Sequence, residues 1–109
     1  MANEPTVSWK GKSGVSHTYW VYPIGTTFSK APGNYIFTKR DASANHTAIY
    51  VGQTGDLNER FDSHERMPCI TKNGATHICV HKSSESEKKR CAEESDLIAN
   101  YKPICNRTP

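Results

Sequence analysis

Two tyrosines, an arginine, a histidine and a glutamate stand in this sequence where elements of regular structure would turn them inward. Tyr35 lies in Tyr35-Ile36-Phe37-Thr38 and Tyr50 in Ala48-Ile49-Tyr50-Val51, both rich in strand formers. Arg60 and His64 are four residues apart, on or beside the helical stripe of Leu57 and Phe61. Glu94 falls within a second stripe, Cys91, Glu94, Ile98 and Tyr101, with Leu97 adjacent. Glu93, about 100° around the helix, is expected to face solvent and so to serve as a control for Glu94. An inward carboxylate is costly unless it is paired or bound to metal. Phosphodiester hydrolysis uses such a set: a carboxylate for a hard divalent cation, a guanidinium for phosphate, and hydroxyl or imidazole groups to move the proton. Each residue alone also has an ordinary structural explanation. Arg60 can snorkel, His64 can sit at an edge, a core tyrosine finds a hydroxyl partner, and Glu94 can pair with an arginine.

The elements that must position these groups are legible in outline. Val7-Ser8-Trp9 and Thr18 to Tyr22 read as strands around a turn at Gly11-Lys12-Ser13-Gly14. Tyr35 to Thr38 and Ala48 to Val51 read as an antiparallel pair, the second ended by Gly52, with an enlarged loop over Asp41 to His46. His46 is expected to be an exposed loop residue. Asp56 with Glu59 predicts a helix from Leu57 to Glu65, ended by Pro68. Thr76 to His81 forms a further strand. Ser84 with Glu87 then opens a helix to Asn100, stopped by Pro103, and Ile104-Cys105-Asn106 packs back as a tail. The fold class is α+β: a small, mainly antiparallel central sheet flanked by helices, with an extra N-terminal β segment. The chain of 109 residues reads as one domain, with residues 1–31 as the β extension and 32–106 as the core. The N-terminal strands are expected to flank or extend the main sheet.

At these residues the sequence resembles the GIY-YIG nuclease superfamily. Gly33-Asn34-Tyr35-Ile36-Phe37 stands at the GIY element and Tyr50-Val51-Gly52 at YIG. Leu57-Asn58-Glu59-Arg60-Phe61, His64, Glu94-Ser95-Asp96-Leu97-Ile98 and Tyr101 to Asn106 follow in the family's order. The resemblance implies a β-β-α-β-α core and a metal-dependent endonuclease. Tyr35 would help to activate the attacking water, and Tyr50 would bond to phosphate or water. Arg60 would stabilise charge on the phosphate, and His64 would assist proton transfer. Glu94 would be the sole carboxylate ligand of Mg²⁺ or Mn²⁺, and Asn106 would brace the site. All six side chains are expected on or near one concave face. Asn34 departs from the family's apolar residue, so that strand face is expected to pack differently. The alternative is a catalytically idle descendant that binds nucleic acid or protein.

Composition sets wide bounds. A hydrophobic fraction of 35% and a mean hydropathy of −0.73 place much of the chain at surface or polar site. The net charge of +3 is compatible with a polyanionic partner without requiring one, and the resemblance implies nucleic acid, DNA rather than RNA. Specificity would come from a partner protein or a homodimer. No apolar run reaches the ~20 residues of a membrane helix, and the N-terminus lacks a signal-peptide core, so a cytoplasmic location is expected. Cys69, Cys79, Cys91 and Cys105 form no CxxC or CxxH pair. Free thiols and no disulfide are expected.

Overall fold

The computed structural model describes residues 6–58, 64–83 and 86–107. Strands β1 (Thr6–Lys10), β2 (Ser16–Pro23), β3 (Gly33–Arg40), β4 (His46–Thr54) and β5 (His77–Lys82) form one antiparallel sheet, curled as a half-barrel, in the order β1-β2-β5-β3-β4. Helices are α1 (Met67–Lys72), α2 (Glu87–Tyr101) and α3 (Ile104–Arg107). The N-terminal strands belong to the sheet, β2 pairing with β5 through Trp20 opposite Val80 and Val21 opposite Cys79.

Alternation along the strands divides the core between two faces. Tyr35, Phe37, Ile78 and Val80 point to the first face, where Ile70 of α1 and Cys105 of α3 pack on them. Trp9, Tyr19, Val21, Ile36, Val51 and Cys79 point to the second, against Leu97 of α2. Leu97 is fully buried, which contributes about 1.5–3 kcal/mol relative to exposure. A bulge interrupts strict alternation: Phe37 pairs with Tyr50 but Thr38 with Ala48. Ile49 is the extra residue, so Ile49 and Tyr50 both join the first face while Ala48 and Val51 join the second.

Several expected boundaries are corrected. Gly52 lies inside β4 rather than ending it. No enlarged loop follows β3. The extra residues lengthen both strands, and a tight turn joins them in which Asp41 Oδ1 accepts from Ser43 N and Asn45 N, with Ala44 left-handed at φ 67°. Of the helix expected over Leu57 to Glu65, the described residues 57–58 and 65 lie in turns and His64 in no regular element; residues 59–63 lie outside the described residues. Pro68 does not end a helix but stands in the first turn of α1, where a missing N–H costs nothing. The cap of α2 is Ser86, whose side chain accepts from Lys89 N, while Ser84 lies outside the described residues. Lys102, left-handed at φ 45°, caps α2 ahead of Pro103.

Candidate active site

On the first face the strands bring Tyr35 and Tyr50 beside His64. Tyr35 Oη lies 2.8 Å from His64 Nε2. The Tyr50 ring centroid is 5.0 Å from that of His64 and 6.2 Å from that of Tyr35. The backbone N–H of Arg66 donates to His64 Nδ1 at 3.0 Å. A neutral imidazole that accepts at Nδ1 carries its proton on Nε2, so His64 donates to the Tyr35 oxygen. Gly52 makes this placement sterically feasible. A Cβ there would stand 2.5 Å from Tyr35 Cζ and 2.6 Å from its oxygen. Gly52→Ala should therefore push the phenol off His64, at about 1–3 kcal/mol for overpacking. Urea unfolding and the His64 ring resonances should report both effects; an unmoved His64 signal would show that Tyr35 does not need the gap.

Glu94 reaches this region from elsewhere. Arg90 and Leu97 are the buried residues of α2, seven apart, and define its centre line against the sheet. Arg90 Nε donates to Gln53 Oε1 and the Asn34 side chain donates to Arg90 O, so the helix lies over β3 and β4. Glu93 and Glu94 flank the centre line on the intervening turn, on opposite sides. Helix α2 packs on the second face through Leu97, while Glu94 acts on Tyr50 of the first face. The two faces meet at β4, the edge strand, whose outer side leads from α2 to Tyr50. Glu94 is half-buried, and that burial holds its carboxyl above the usual range. The Tyr50 hydroxyl is in turn pushed up, first by burial and then by the charge of Glu94. No described residue makes a hydrogen bond or ion pair with Glu94.

Asn106 braces the same edge. Its Oδ1 accepts from Val51 N at 2.7 Å and its Nδ2 donates to Val51 O at 2.9 Å, so the side-chain amide replaces a neighbouring strand. Its helix is held by a disulfide between Cys69 of α1 and Cys105 of α3, with Cα atoms 5.9 Å apart. The expectation of four free thiols is thereby corrected: Cys79 and Cys91 are free. Both bridged cysteines sit in the apolar cluster of the first face, where folding brings together residues far apart in sequence. The free-thiol expectation followed from the cytoplasmic reading, and a disulfide is uncommon in that compartment. Among the described residues no helix is long and apolar enough to cross a membrane.

Arg60 falls within 59–63, outside the described residues. Among the described residues, no three His, Cys, Asp or Glu side chains form a metal-holding group.

A second polar cluster escaped the sequence reading. Glu93 does not face solvent. Its Oε2 accepts from Tyr19 Oη at 2.5 Å and lies 2.9 Å from His81 Nδ1, while Oε1 lies 3.5 Å from His17 Nδ1. His17 Nε2 is 3.7 Å from Asp96 Oδ2. The Asp96 carboxyl is held below its usual range, first by the Ser13 hydroxyl and then by the Ser13 N–H. Ser13, His17, His81, Glu93 and Asp96 border a cavity of about 560 Å³. Alternation along β2 puts His17 and Tyr19 on one face. That signal was present, but the helix register that brings Glu93 to them was not.

Comparison of the chain with protein-family models, with curated proteins and with solved structures gave no match.

Proposed function

We propose that this protein is a metal-dependent endonuclease of the GIY-YIG type, hydrolysing phosphodiester bonds in nucleic acid, DNA rather than RNA. The observation that carries the reading is a half-buried carboxylate, Glu94, with no hydrogen-bond or ion-pair partner among the described residues, acting on Tyr50 beside the Tyr35–His64 pair. An unpaired inward carboxylate is unfavourable for stability and is accounted for by a cation. The donor set fits a hard ion: Glu94 would hold Mg²⁺ or Mn²⁺, with water and phosphate oxygens as the other ligands. Such an ion supplies Lewis-acid polarisation of the phosphate and acidifies bound water.

The protein's own groups manage the proton. His64 donates from Nε2 to the Tyr35 oxygen and so stabilises the phenolate left when the phenol releases its proton to solvent. Tyr35 can then take a proton from the attacking water. Tyr50 lines the same site, Asn106 fixes the strand that carries it, and Arg60 is assigned to the phosphate charge. A partner protein or a second copy would provide specificity.

The test is incubation of purified protein with plasmid, linear, branched and single-stranded substrates, with and without Mg²⁺ and Mn²⁺. Metal-dependent cleavage is expected, with His64→Ala reducing it ~10²-fold, as for a positioned proton-transfer group. Binding without cleavage on every substrate would replace this reading with that of an idle binding module.

A further inference from the structure

At the end of the second face away from the Glu93 cluster, two histidines and an arginine border a cavity of about 280 Å³, with Val7, Val21, Pro23 and Ala44 as its apolar walls. His46 opens β4 instead of lying in an exposed loop, and His77 opens β5. Their ring centroids are 5.6 Å apart. Each ring is pinned at Nδ1 by a threonine hydroxyl, His46 by Thr38 at 2.8 Å and His77 by Thr76 at 2.7 Å.

Those contacts decide what the rings offer at Nε2. Thr76 Oγ1 already accepts the Arg40 N–H at 2.9 Å. Its one proton has two acceptors, Thr38 O at 3.5 Å and His77 Nδ1 at 2.7 Å, and the shorter contact takes it. His77 therefore accepts at Nδ1 and presents N–H at Nε2. The Thr38 hydroxyl also meets the Cys79 thiol, which burial pushes up to about 12 and so keeps protonated. The Thr38 contact at Nδ1 leaves Nε2 as the His46 nitrogen available to a ligand. The exposed Arg40 guanidinium adds charge-assisted donors at the rim.

The field in the pocket is mainly positive, His77 and Arg40 each acting on His46 more strongly than Asp41. The His46 imidazolium is disfavoured by burial first, then by His77 and Arg40. The opposing acid, Asp41, is turned into its own turn by bonds from Ser43 N and Asn45 N. The His77 N–H, the neighbouring His46 ring nitrogen, a guanidinium and apolar walls make a complement to a compact anion attached to a small apolar body.

We propose that Arg40, His46 and His77 form a binding site for a small phosphomonoester, its phosphate against their side-chain nitrogens and its body against Val7, Val21 and Ala44. The site lies on the face opposite Tyr35 and does not depend on the nuclease reading.

Phenyl phosphate, inorganic phosphate and a short DNA duplex separate the sources of the phosphate group. In titrations followed by histidine ring NMR, phenyl phosphate is expected to shift His46 and His77 together and to saturate, and inorganic phosphate to do so more weakly. Arg40→Gln should weaken phenyl phosphate about tenfold or more, the share of a charge-assisted contact. Lys39→Gln, the same charge change one residue away, should not. Arg40 is exposed, so unchanged melting of Arg40→Gln verifies that the fold is intact. Absence of saturable shifts, equal losses in both variants, or shifts with the duplex but not with phenyl phosphate would each overturn the proposal.

Discussion

Glu94→Gln is expected to abolish metal-dependent cleavage and, in the same protein, to raise the melting temperature at neutral and alkaline pH. The substitution keeps the side chain's size and removes the charge that would hold the cation, so cleavage should fall to background while nucleic-acid binding survives on lysine and arginine contacts to phosphate. The gain in stability follows from burial. A carboxyl held above its usual value of 4.5 binds its proton more tightly in the native state than in the unfolded chain. Stability is therefore lost as pH rises from about 4.5 through the raised folded value. The wild type should equal Glu94→Gln in acid and fall behind it above that window. Mg²⁺ or Mn²⁺ should recover the difference in the wild type alone. Glu93→Gln cannot serve as the control, because Glu93 bonds Tyr19 and His81. Glu87→Gln, exposed in the first turn of α2, takes that place. Retention of cleavage by Glu94→Gln would remove the metal site; unchanged melting across pH would remove the claim that its carboxylate is strained by burial.

Loss of the Cys69–Cys105 bridge is expected to have the largest effect on stability. The closed loop spans a sequence separation of 36, for which chain-entropy reasoning gives about 3–4 kcal/mol. The Cys69→Ala/Cys105→Ala protein should show a denaturant midpoint reduced accordingly. The same change frees the helix that carries Asn106, so the Val51 amide, bonded to Asn106 Oδ1, should exchange with solvent much faster than its neighbours. Denatured without reductant, the wild type should yield two titratable thiols, Cys79 and Cys91. Four titratable thiols would show that the bridge does not form.

Most of the strands were legible because their signal is local. Val7 to Trp9, Thr18 to Tyr22, Tyr35 to Thr38, Ala48 to Val51 and Thr76 to His81 all lie within or against observed strands. The second helix was legible through its stripe and cap chemistry, although Ser86 and not Ser84 is the cap. Pro68 misled because proline both ends helices and opens them, and only the backbone that follows decides which.

The sequence by itself determined the element types, the α+β class, and which residues carry groups able to hold a cation or move a proton. Those properties follow from residue chemistry and from periods of 2 and 3.6. Tertiary structure decided the rest. The bulge at Ile49 turned Tyr50 toward Tyr35, and the missing Cβ of Gly52 let the phenol reach His64. The rotation of α2 about Arg90 and Leu97 sent Glu93 to Tyr19 and His81 and left Glu94 toward the β4 edge. Helix rotation and bulge position are set by packing between residues dozens of positions apart, and the same contacts brought Cys69 to Cys105. A local pattern fixes which residues can face inward, but only the partner surface fixes what they meet there.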